Sequence, residues 1–353
     1  MPEQRFAIVG CGRIAPRHAD NLARLPGARL AAVVDVDPGR AGTFARRYEV
    51  PEFRSVEALC NWGSFDVACI CTPSGLHADH AVALARAGKH VVVEKPMALT
   101  IGDADRMIAA AADAKVKLFV VKQNRFNLPV IALRQALEAG RFGRLVMGTV
   151  RVRWSRDQRY YDQDAWRGTW ALDGGVLANQ ASHHIDLLEW CMGEVQTVYA
   201  KTATQLVDIE CEDTAVAVLR FKSGALGLVE ATTAVRPKDL EGSLSILGER
   251  GTVEIGGFAV NEIRHFNFMS PLAEDDSVRS RYSVNPPDVY GFGHHAYLQN
   301  VLAVLRDEAE ALVDGIEGRK SLELITALYV SAETGREIDV RGNRETCRLG
   351  ARP

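Results

Sequence analysis

No stretch of the chain approaches the roughly 18 uninterrupted apolar residues that a membrane-spanning helix needs, so no membrane partner is expected. Neither sign of charge dominates. Lys plus Arg number 42 and Asp plus Glu 45, a formal net charge of -3 over 353 residues. That balance excludes a nucleic-acid binder working through gross charge, and it excludes an acidic solvating tail. Thirty glycines and thirteen prolines are too few for a collagenous or low-complexity chain, and no internal repeat is visible. The seven cysteines (Cys11, Cys60, Cys69, Cys71, Cys191, Cys211, Cys347) include no Cys-x-x-Cys pair and are odd in number. They read as reduced packing thiols, with neither a disulfide framework nor a zinc site expected. Met1 to Gly10 enters an apolar strand with no basic leader, so a cytoplasmic protein is expected.

What remains is an ordinary globular composition, 47% hydrophobic and 25% charged, long enough for two domains. Short apolar runs at Phe6–Val9, Leu30–Val34, Val67–Cys71, Val91–Val93 and Leu118–Val121 alternate with amphipathic stretches such as Arg17–Leu25, Arg40–Tyr48, Ala78–Ala87 and Ile101–Ala114. That alternation predicts βαβ units and a parallel sheet. After about Lys122 the period changes to two, in runs such as Val146–Trp154, Val195–Thr204, Thr214–Lys222 and Ala225–Thr233. Tight turns between several of these runs predict a mixed or antiparallel sheet. The expected domains are residues 1–122 and 123–353, the second closed by helices near 292–307 and 320–335 and ending in a frayed polar tail over 341–353.

Gly10-Cys-Gly12-Arg13-Ile14-Ala15 matches G-x-G-x-x-A, directly after the first strand and before a helix. The first glycine permits the tight turn, the second lets backbone approach a pyrophosphate, and the small third residue lets helix pack on strand. Asp35 ends the second strand 23 residues after Gly12, where an acid binds the ribose hydroxyls of NAD and repels the 2′-phosphate of NADP. The adjoining Val36-Asp37-Pro38 offers no arginine for that phosphate. NAD is therefore the expected cofactor, held by Gly10, Gly12, Arg13, Ile14 and Asp35. The alternative is a glycine turn needed only for packing.

Two further groups carry potential chemistry. Lys95, in Glu94-Lys95-Pro96, follows a strand at the carboxyl edge of the parallel sheet, where ligands bind in open α/β sheets. A lysine there can hold a substrate hydroxyl or help carry its proton. The segment Asp173-Gly-Gly175 to Trp190 reads as a helix from about Val176, which sets Asn179, His183 and Asp186 near one face. A histidine beside a carboxamide and a carboxylate suits general-base work, the alternative being a core histidine with satisfied hydrogen bonds. His184 diverges from His183 by about 100°, so the pair is not expected to share a metal ion.

G-x-G-x-x-A, Thr72-Pro73 with His77, Glu94-Lys95-Pro96 and the Gly-Gly-to-His-x-x-Asp segment together resemble the Gfo/Idh/MocA oxidoreductases over roughly residues 5 to 340. The resemblance implies an α/β fold: a Rossmann domain, then an α/β domain with a large open sheet, assembled as a homodimer or homotetramer through that sheet. It implies hydride transfer between NAD and a sugar or cyclitol carbon, with Lys95 and His183 as the catalytic pair. Thr72, Pro73, His77, Glu94, Gln123 and Trp166 would line the cofactor. Many members carry Asp at the place of Asn179, and Asp186 is then the alternative carboxylate for orienting His183.

A narrower resemblance, to UDP-N-acetylglucosamine and UDP-N-acetylglucosaminuronic acid 3-dehydrogenases, lies in Lys122-Gln-Asn-Arg125-Phe-Asn127-x-Pro129, Trp154 to Asp162, Trp166-Arg167-Gly-Thr169-Trp170 and Asn179-Gln180. It implies oxidation of the C3 hydroxyl of a UDP-2-acetamido sugar for surface polysaccharide. Arg125, Asn127, Arg156, Arg159, Tyr160, Tyr161, Arg167, Thr169 and Asn179, with Lys95 and His183, would meet that substrate. The residues support an anionic ligand on their own account. Arg151, Arg153, Arg156, Arg159 and Arg167 put five arginines in 17 residues, where the chain average would give about two. Arginine binds phosphate and carboxylate bidentately, and Tyr160, Tyr161 and Trp166 offer stacking faces. Arg151 and Arg153 also alternate with Val150, Val152 and Trp154, as the wet face of a strand would. The rival readings are a free-sugar or cyclitol dehydrogenase of the inositol type and a non-catalytic dinucleotide-sensing regulator.

Overall fold

The computed structural model describes residues 3–284, 291–342 and 345–351. They pack as two compact units, residues 1–122 with 294–319, and residues 123–293 with 320–353.

The first unit opens as the apolar runs demand. The elements are β1 (Gln4–Val9), α1 (Ala15–Leu22), β2 (Ala28–Val34), α2 (Pro38–Tyr48), β3 (Glu52–Phe53), α3 (Val56–Trp62), β4 (Val67–Ile70), α4 (His77–Arg86), β5 (His90–Val93), α5 (Ile101–Asp113) and β6 (Leu118–Val120). The six strands lie in the order β3-β2-β1-β4-β5-β6, all pairs parallel. Phe6 to Val9 and Val67 to Ile70 are buried because the sheet is covered on both faces. Local chemistry starts the helices. Asp37 accepts from the amides of Gly39 and Arg40 ahead of α2, Ser55 from Ala58 ahead of α3, and Thr100 from Asp103 ahead of α5. Because all strands run the same way, the residues after β1, β2, β4 and β5 emerge at one edge. The order reverses between β1 and β4, the switch point where such sheets bind ligands.

The second unit begins with α6 (Leu128–Glu138), β7 (Leu145–Arg153), α7 (Gln158–Asp162) and α8 (Ser182–Met192). Then come β8 (Val195–Ala203), β9 (Thr214–Phe221), β10 (Leu226–Thr232), β11 (Glu241–Gly248), β12 (Gly251–Gly256), β13 (Glu262–Phe268) and α9 (Asp275–Tyr282). Helix α10 (Gly293–Leu305) packs with the first unit, and α11 (Gly315–Thr334) and a short β14 (Ile338–Asp339) follow it in the chain. The eight strands form one mixed sheet, β13-β12-β11-β7-β10-β9-β8-β14, with β7 and β10 parallel and the remaining pairs antiparallel. Helix α8 covers one face of it. Gly148 makes room, since a Cβ there would stand 2.6 Å from Met192 and 2.7 Å from Leu188. The other face carries Val216, Val218 and Leu226, about half exposed, beside a ladder in which Arg153 pairs with Glu230 and Glu241. Arg151 also reaches Glu241, so Arg151 and Arg153 sit on the wet face of their strand.

Three expectations differ from the structure. The helix expected from Val176 starts six residues later, at Ser182. The amides of Val176 and Leu177 are instead taken by the main chain and carboxylate of Glu212, and that of Gly175 by the Tyr329 hydroxyl. Residues 294–319, near the helix expected over 292–307, pack with the first unit, where the Val120 amide donates to Val313 O at 3.2 Å. The tail is not frayed over its described residues. Leu349 is buried, the Gly350 amide donates to Trp170 O at 2.8 Å, and Arg341 meets Glu189, Glu194 and Glu323. The β3, β13, α7, α9 and β14 segments are too short or too polar to have shown a period.

His184, at the core of the second unit, packs edge-on to Trp154, and burial drives its pKa down to about 3. Its folded pKa lies below the unfolded value near 6.5, so the neutral ring stabilises the fold above 6.5. That stability is lost as pH falls toward 3, by about 1.4 kcal/mol per pH unit. In urea titrations the wild type should therefore lose about 2 kcal/mol relative to His184→Leu between pH 6.5 and 5. A difference that stays constant over that range would show the ring already charged in the fold.

Candidate active site

The carboxyl edge of the first unit's sheet is built around a close approach. Gly10 has φ +94°, and a Cβ there would lie 2.9 Å from the Cys71 carbonyl and the Thr72 amide. Only glycine fits. Around Gly12, by contrast, nothing would stand within 4 Å of a Cβ, so the backbone is open to an approaching group. Arg13 is exposed and Ile14 stands as the N-cap of α1. Asp35 accepts from the Cys11 amide at 2.8 Å through Oδ2 and from the Asp37 amide at 2.8 Å through Oδ1. A carboxylate has about four lone-pair sites, so two remain for ribose hydroxyls. This open glycine backbone, next to an acid already fixed in place, fits a dinucleotide. Arg54 also stands at this point, its Nη1 donating to the Asp35 carbonyl at 3.2 Å. The sequence reading did not find it, because it comes from beyond β3.

Two histidines tie the strand ends together. His77 is buried between the Thr72 carbonyl, 2.8 Å from Nε2, and the Pro96 carbonyl, 2.9 Å from Nδ1. Burial lowers its pKa, against the pull of those two carbonyls. It thus joins the Thr72-Pro73 turn to the Glu94-Lys95-Pro96 turn. His18 of α1 places Nε2 2.8 Å from Glu94 Oε1, and Glu94 Oε2 accepts from the Lys95 amide at 3.2 Å. Lys95 itself is half-buried.

The second unit brings a different set together. A 3-10 turn, Gln123–Phe126, faces α8. The Gln123 amide nitrogen lies 3.1 Å from His183 Nε2, and Arg125 grips Asp186 through two bonds of 2.8 Å with both side chains buried. Arg125 also stacks on Trp190, 4.8 Å from its centroid. These bonds give two of the expected ligand residues neighbours within the protein. Gln123, expected at the cofactor, meets His183. Arg125, expected at the substrate, meets Asp186. Asn179 lies before the helix, its Nδ2 donating to Asp173 Oδ1 at 2.5 Å, so it does not share a helical face with His183. Asn127 is buried and donates to Ala259 O at 3.3 Å.

The arginine-rich stretch is likewise built. Tyr160 is flanked by two guanidinium groups, Arg156 at 5.4 Å and Arg167 at 4.7 Å, and Arg167 also lies 4.4 Å over Trp166. Arg167 donates to the Tyr160 hydroxyl at 3.0 Å and pairs with Asp164, while Arg156 pairs with Asp239 at 2.9 Å. Tyr161 is buried, its hydroxyl 3.1 Å from Thr233 Oγ1. Thr169 closes the turn by donating to Trp166 O. Arg159 is 90% exposed and paired with Asp157. Glu212 was not anticipated. It is buried, its pKa is pushed up by burial to about 7, and its Oε1 takes both the Leu177 amide and the Tyr329 hydroxyl. A Cβ on Gly175 would lie 2.2 Å from Glu212 Oε2, which explains the glycine pair before Val176. A carboxylate in a two-residue acidic run leaves no periodic signal in the sequence.

Comparison with known proteins agrees with this geometry. Residues 4–122 match the NAD-binding Rossmann fold of the Gfo/Idh/MocA oxidoreductase family, and residues 134–340 match its C-terminal alpha/beta domain. The WlbA dehydrogenase of Bordetella pertussis, solved with NADH and UDP-GlcNAcA, is 45% identical, with a TM-score of 0.93 over 96% of this chain and 98% of that one. The WlbA dehydrogenase of Chromobacterium violaceum, also with NADH and UDP-GlcNAcA, is 44% identical with a TM-score of 0.91, over 96% of each chain. Myo-inositol 2-dehydrogenase of Thermotoga maritima is 31% identical over 95% of this chain and 98% of its own length. With both domains matched and a glycine loop and acid that suit the dinucleotide, the chain belongs to the Gfo/Idh/MocA family and is an NAD-dependent dehydrogenase of the sugar type.

Proposed function

We propose that the protein oxidises the C3 hydroxyl of a UDP-2-acetamido-2-deoxy sugar, in particular the uronic acid, to the 3-keto sugar. The reading rests on one observation above others. The two WlbA structures, similar over nearly the whole chain, hold NADH and UDP-GlcNAcA. The Arg156–Tyr160–Arg167 cluster supports it, since paired guanidinium groups around an aromatic ring suit a ligand with phosphate, carboxylate and a flat base. Arg159, the most exposed of the five arginines, remains the candidate for a phosphate or carboxylate contact.

NAD, when bound, supplies the hydride acceptor. The chain's own residues do the rest. His183 takes the hydroxyl proton as the C3 hydrogen leaves with its electron pair, and the C–O bond becomes a carbonyl. With its carboxamide oxygen turned to accept from His183 Nε2–H, Gln123 fixes the ring and leaves Nδ1 the lone pair that takes the proton. Lys95 holds the hydroxyl oxygen and stabilises the negative charge that develops on it. Asp35 holds the ribose, Gly10 and Gly12 the pyrophosphate, and Thr72, Pro73 and Glu94 line the cofactor. On this reading the reaction supplies cytoplasmic precursors for surface polysaccharide. The face of the second sheet bearing Val216, Val218 and Leu226 is assigned to contact with further copies of the chain, in a homodimer or homotetramer.

The inositol dehydrogenase at 31% identity supports a second reading, oxidation of a free cyclitol or sugar. A panel of UDP-GlcNAcA, UDP-GlcNAc, free GlcNAc and myo-inositol separates the two, following NADH formation with and without 2-oxoglutarate as reoxidant. The UDP-sugar acid should be turned over and myo-inositol ignored. Turnover of myo-inositol alone would replace the first reading with the second. Lys95→Met should lower kcat by about 100-fold or more while leaving the NADH dissociation constant within a factor of about two. Undiminished turnover would remove Lys95 from the chemistry. Asp35→Ala should weaken NAD and narrow its preference over NADP by about tenfold, read from kcat/KM for each. An unchanged ratio would assign specificity to another group.

A further inference from the structure

Below the Lys95 turn lies a set of buried side chains of which the catalytic reading uses only Glu94. His18 comes from α1, Glu94 from the end of β5, His294 from α10, and Cys69 and Cys71 from the end of β4. All five residues are buried. The His18 and His294 rings meet edge to face with centroids 5.8 Å apart. His18 Nε2 lies 2.8 Å from Glu94 Oε1, and the other carboxylate oxygen accepts from the Lys95 amide.

We propose that His18 is a positioning residue for the catalytic lysine. By holding one oxygen of Glu94 it directs the other to the Lys95 amide, and so ties the helix that follows the glycine loop to the turn that carries Lys95. This rests on the reading of Lys95 as catalytic.

Burial keeps the other titratable groups of this pocket neutral, the Tyr297 hydroxyl included. Burial drives the His294 ring to a pKa of about 3, and the nearby His18 charge adds to that, so His294 is neutral. Burial lifts the Cys71 thiol to about 11, so it carries no charge at neutral pH. Glu94 would be raised by burial, but its bond to His18 and the His18 and Lys95 charges hold it down, to about 2. For His18, burial opposes protonation, while hydrogen bonds to Cys69 and Cys71 and the Glu94 carboxylate at 2.8 Å favour it and raise the pKa. The pocket therefore holds one carboxylate and one imidazolium. Removing either partner alone leaves an unpaired buried charge, which is strongly unfavourable. Without His18, Glu94 would take up a proton and its oxygen could no longer be aimed at the Lys95 amide by a fixed donor. The ligand atoms of His18, Glu94 and His294 lie within 4.8 Å of one another, near enough in number for a cation. The 2.8 Å His18–Glu94 contact is instead a hydrogen bond, which a metal would have to displace.

The geometry links two events usually treated apart. Helix α1 begins directly after the glycine loop, and its second turn reaches the strand end that bears the lysine. A dinucleotide settling on the glycine loop and the placement of Lys95 then share one rigid connection.

The test uses the full-length enzyme. His18→Leu removes donor and charge, and His18→Gln keeps a neutral donor. His18→Leu should lower kcat by about tenfold or more with KM for the sugar nucleotide within about threefold, a loss confined to turnover. Both variants should acquire an acid limb in kcat between pH 5 and 7, as Glu94 takes a proton that the wild type excludes. His18→Gln should recover activity toward pH 8. In wild-type protein with nitrogen-15-labelled histidine, the His18 ring should show both nitrogens protonated at pH 7. That readout needs no variant, and it stands even if His18→Leu does not fold. A neutral His18 ring at pH 7, or kcat in His18→Leu within about twofold of wild type from pH 5 to 9, overturns the proposal. Zinc bound by the wild type and lost in His18→Gln overturns it as well, since it requires His18 neutral. Full activity in Lys95→Met defeats the catalytic reading instead, so the two failures are separable.

Discussion

The first unit depends on one close contact, the main chain of Gly10 against that of Cys71 and Thr72. A methyl group on Gly10 would lie 2.9 Å from three backbone atoms of the neighbouring strand end. With no side chain there, the turn after β1 packs against the turn after β4, and the switch point of the sheet closes. The helix behind the glycine loop is then close enough for His18 to reach Glu94, and the Thr72 carbonyl close enough for His77 to bridge it to Pro96. The glycine loop, the threonine turn and the lysine turn are thus three parts of one hydrogen-bonded assembly.

The second unit solves a related problem by other means. Its histidine helix does not begin where apolar periodicity says it should, because Glu212 and Tyr329 capture the amides that would have started it. The stretch ahead of Ser182 is held in a fixed, non-helical path, with Gly175 leaving room for the Glu212 carboxylate. Buried charge recurs here as a paired and stacked arrangement, Arg125 with Asp186 over Trp190. A buried ion pair of this kind adds little net stability over apolar packing, but it penalises any arrangement that separates the pair. It therefore fixes how the Gln123–Phe126 turn sits on α8, and with it the neighbour of His183.

The overall charge of -3 conceals this organisation. Of the five clustered arginines, Arg151 and Arg153 join the open-face ladder, and Arg156 and Arg167 both lie near the Tyr160 ring. Only Arg159 extends into solvent. A count of arginines locates a basic region, whereas the pairing pattern separates the members that build the surface from the one whose charge is most exposed.

The amino-acid sequence alone determined the parallel sheet with its helices, the glycine loop with Asp35, the family, and the principal strands of the second sheet. These are carried by short-range signals: apolar runs, period, caps, and glycines at obligatory turns. The tertiary structure decided which partner each polar side chain takes. Asn179 looked like a neighbour of His183 because spacing along a helix was the available guide, but the amides that would extend that helix belong to Glu212 and Tyr329, far along the chain; Asp186 does share the helix, and its carboxylate is taken by Arg125. Gln123 reaches His183 across 60 residues and His18 reaches Glu94 across 76. Such pairs leave no trace in local periodicity, since a hydrogen bond between distant residues constrains neither the spacing nor the hydropathy of the segments it joins.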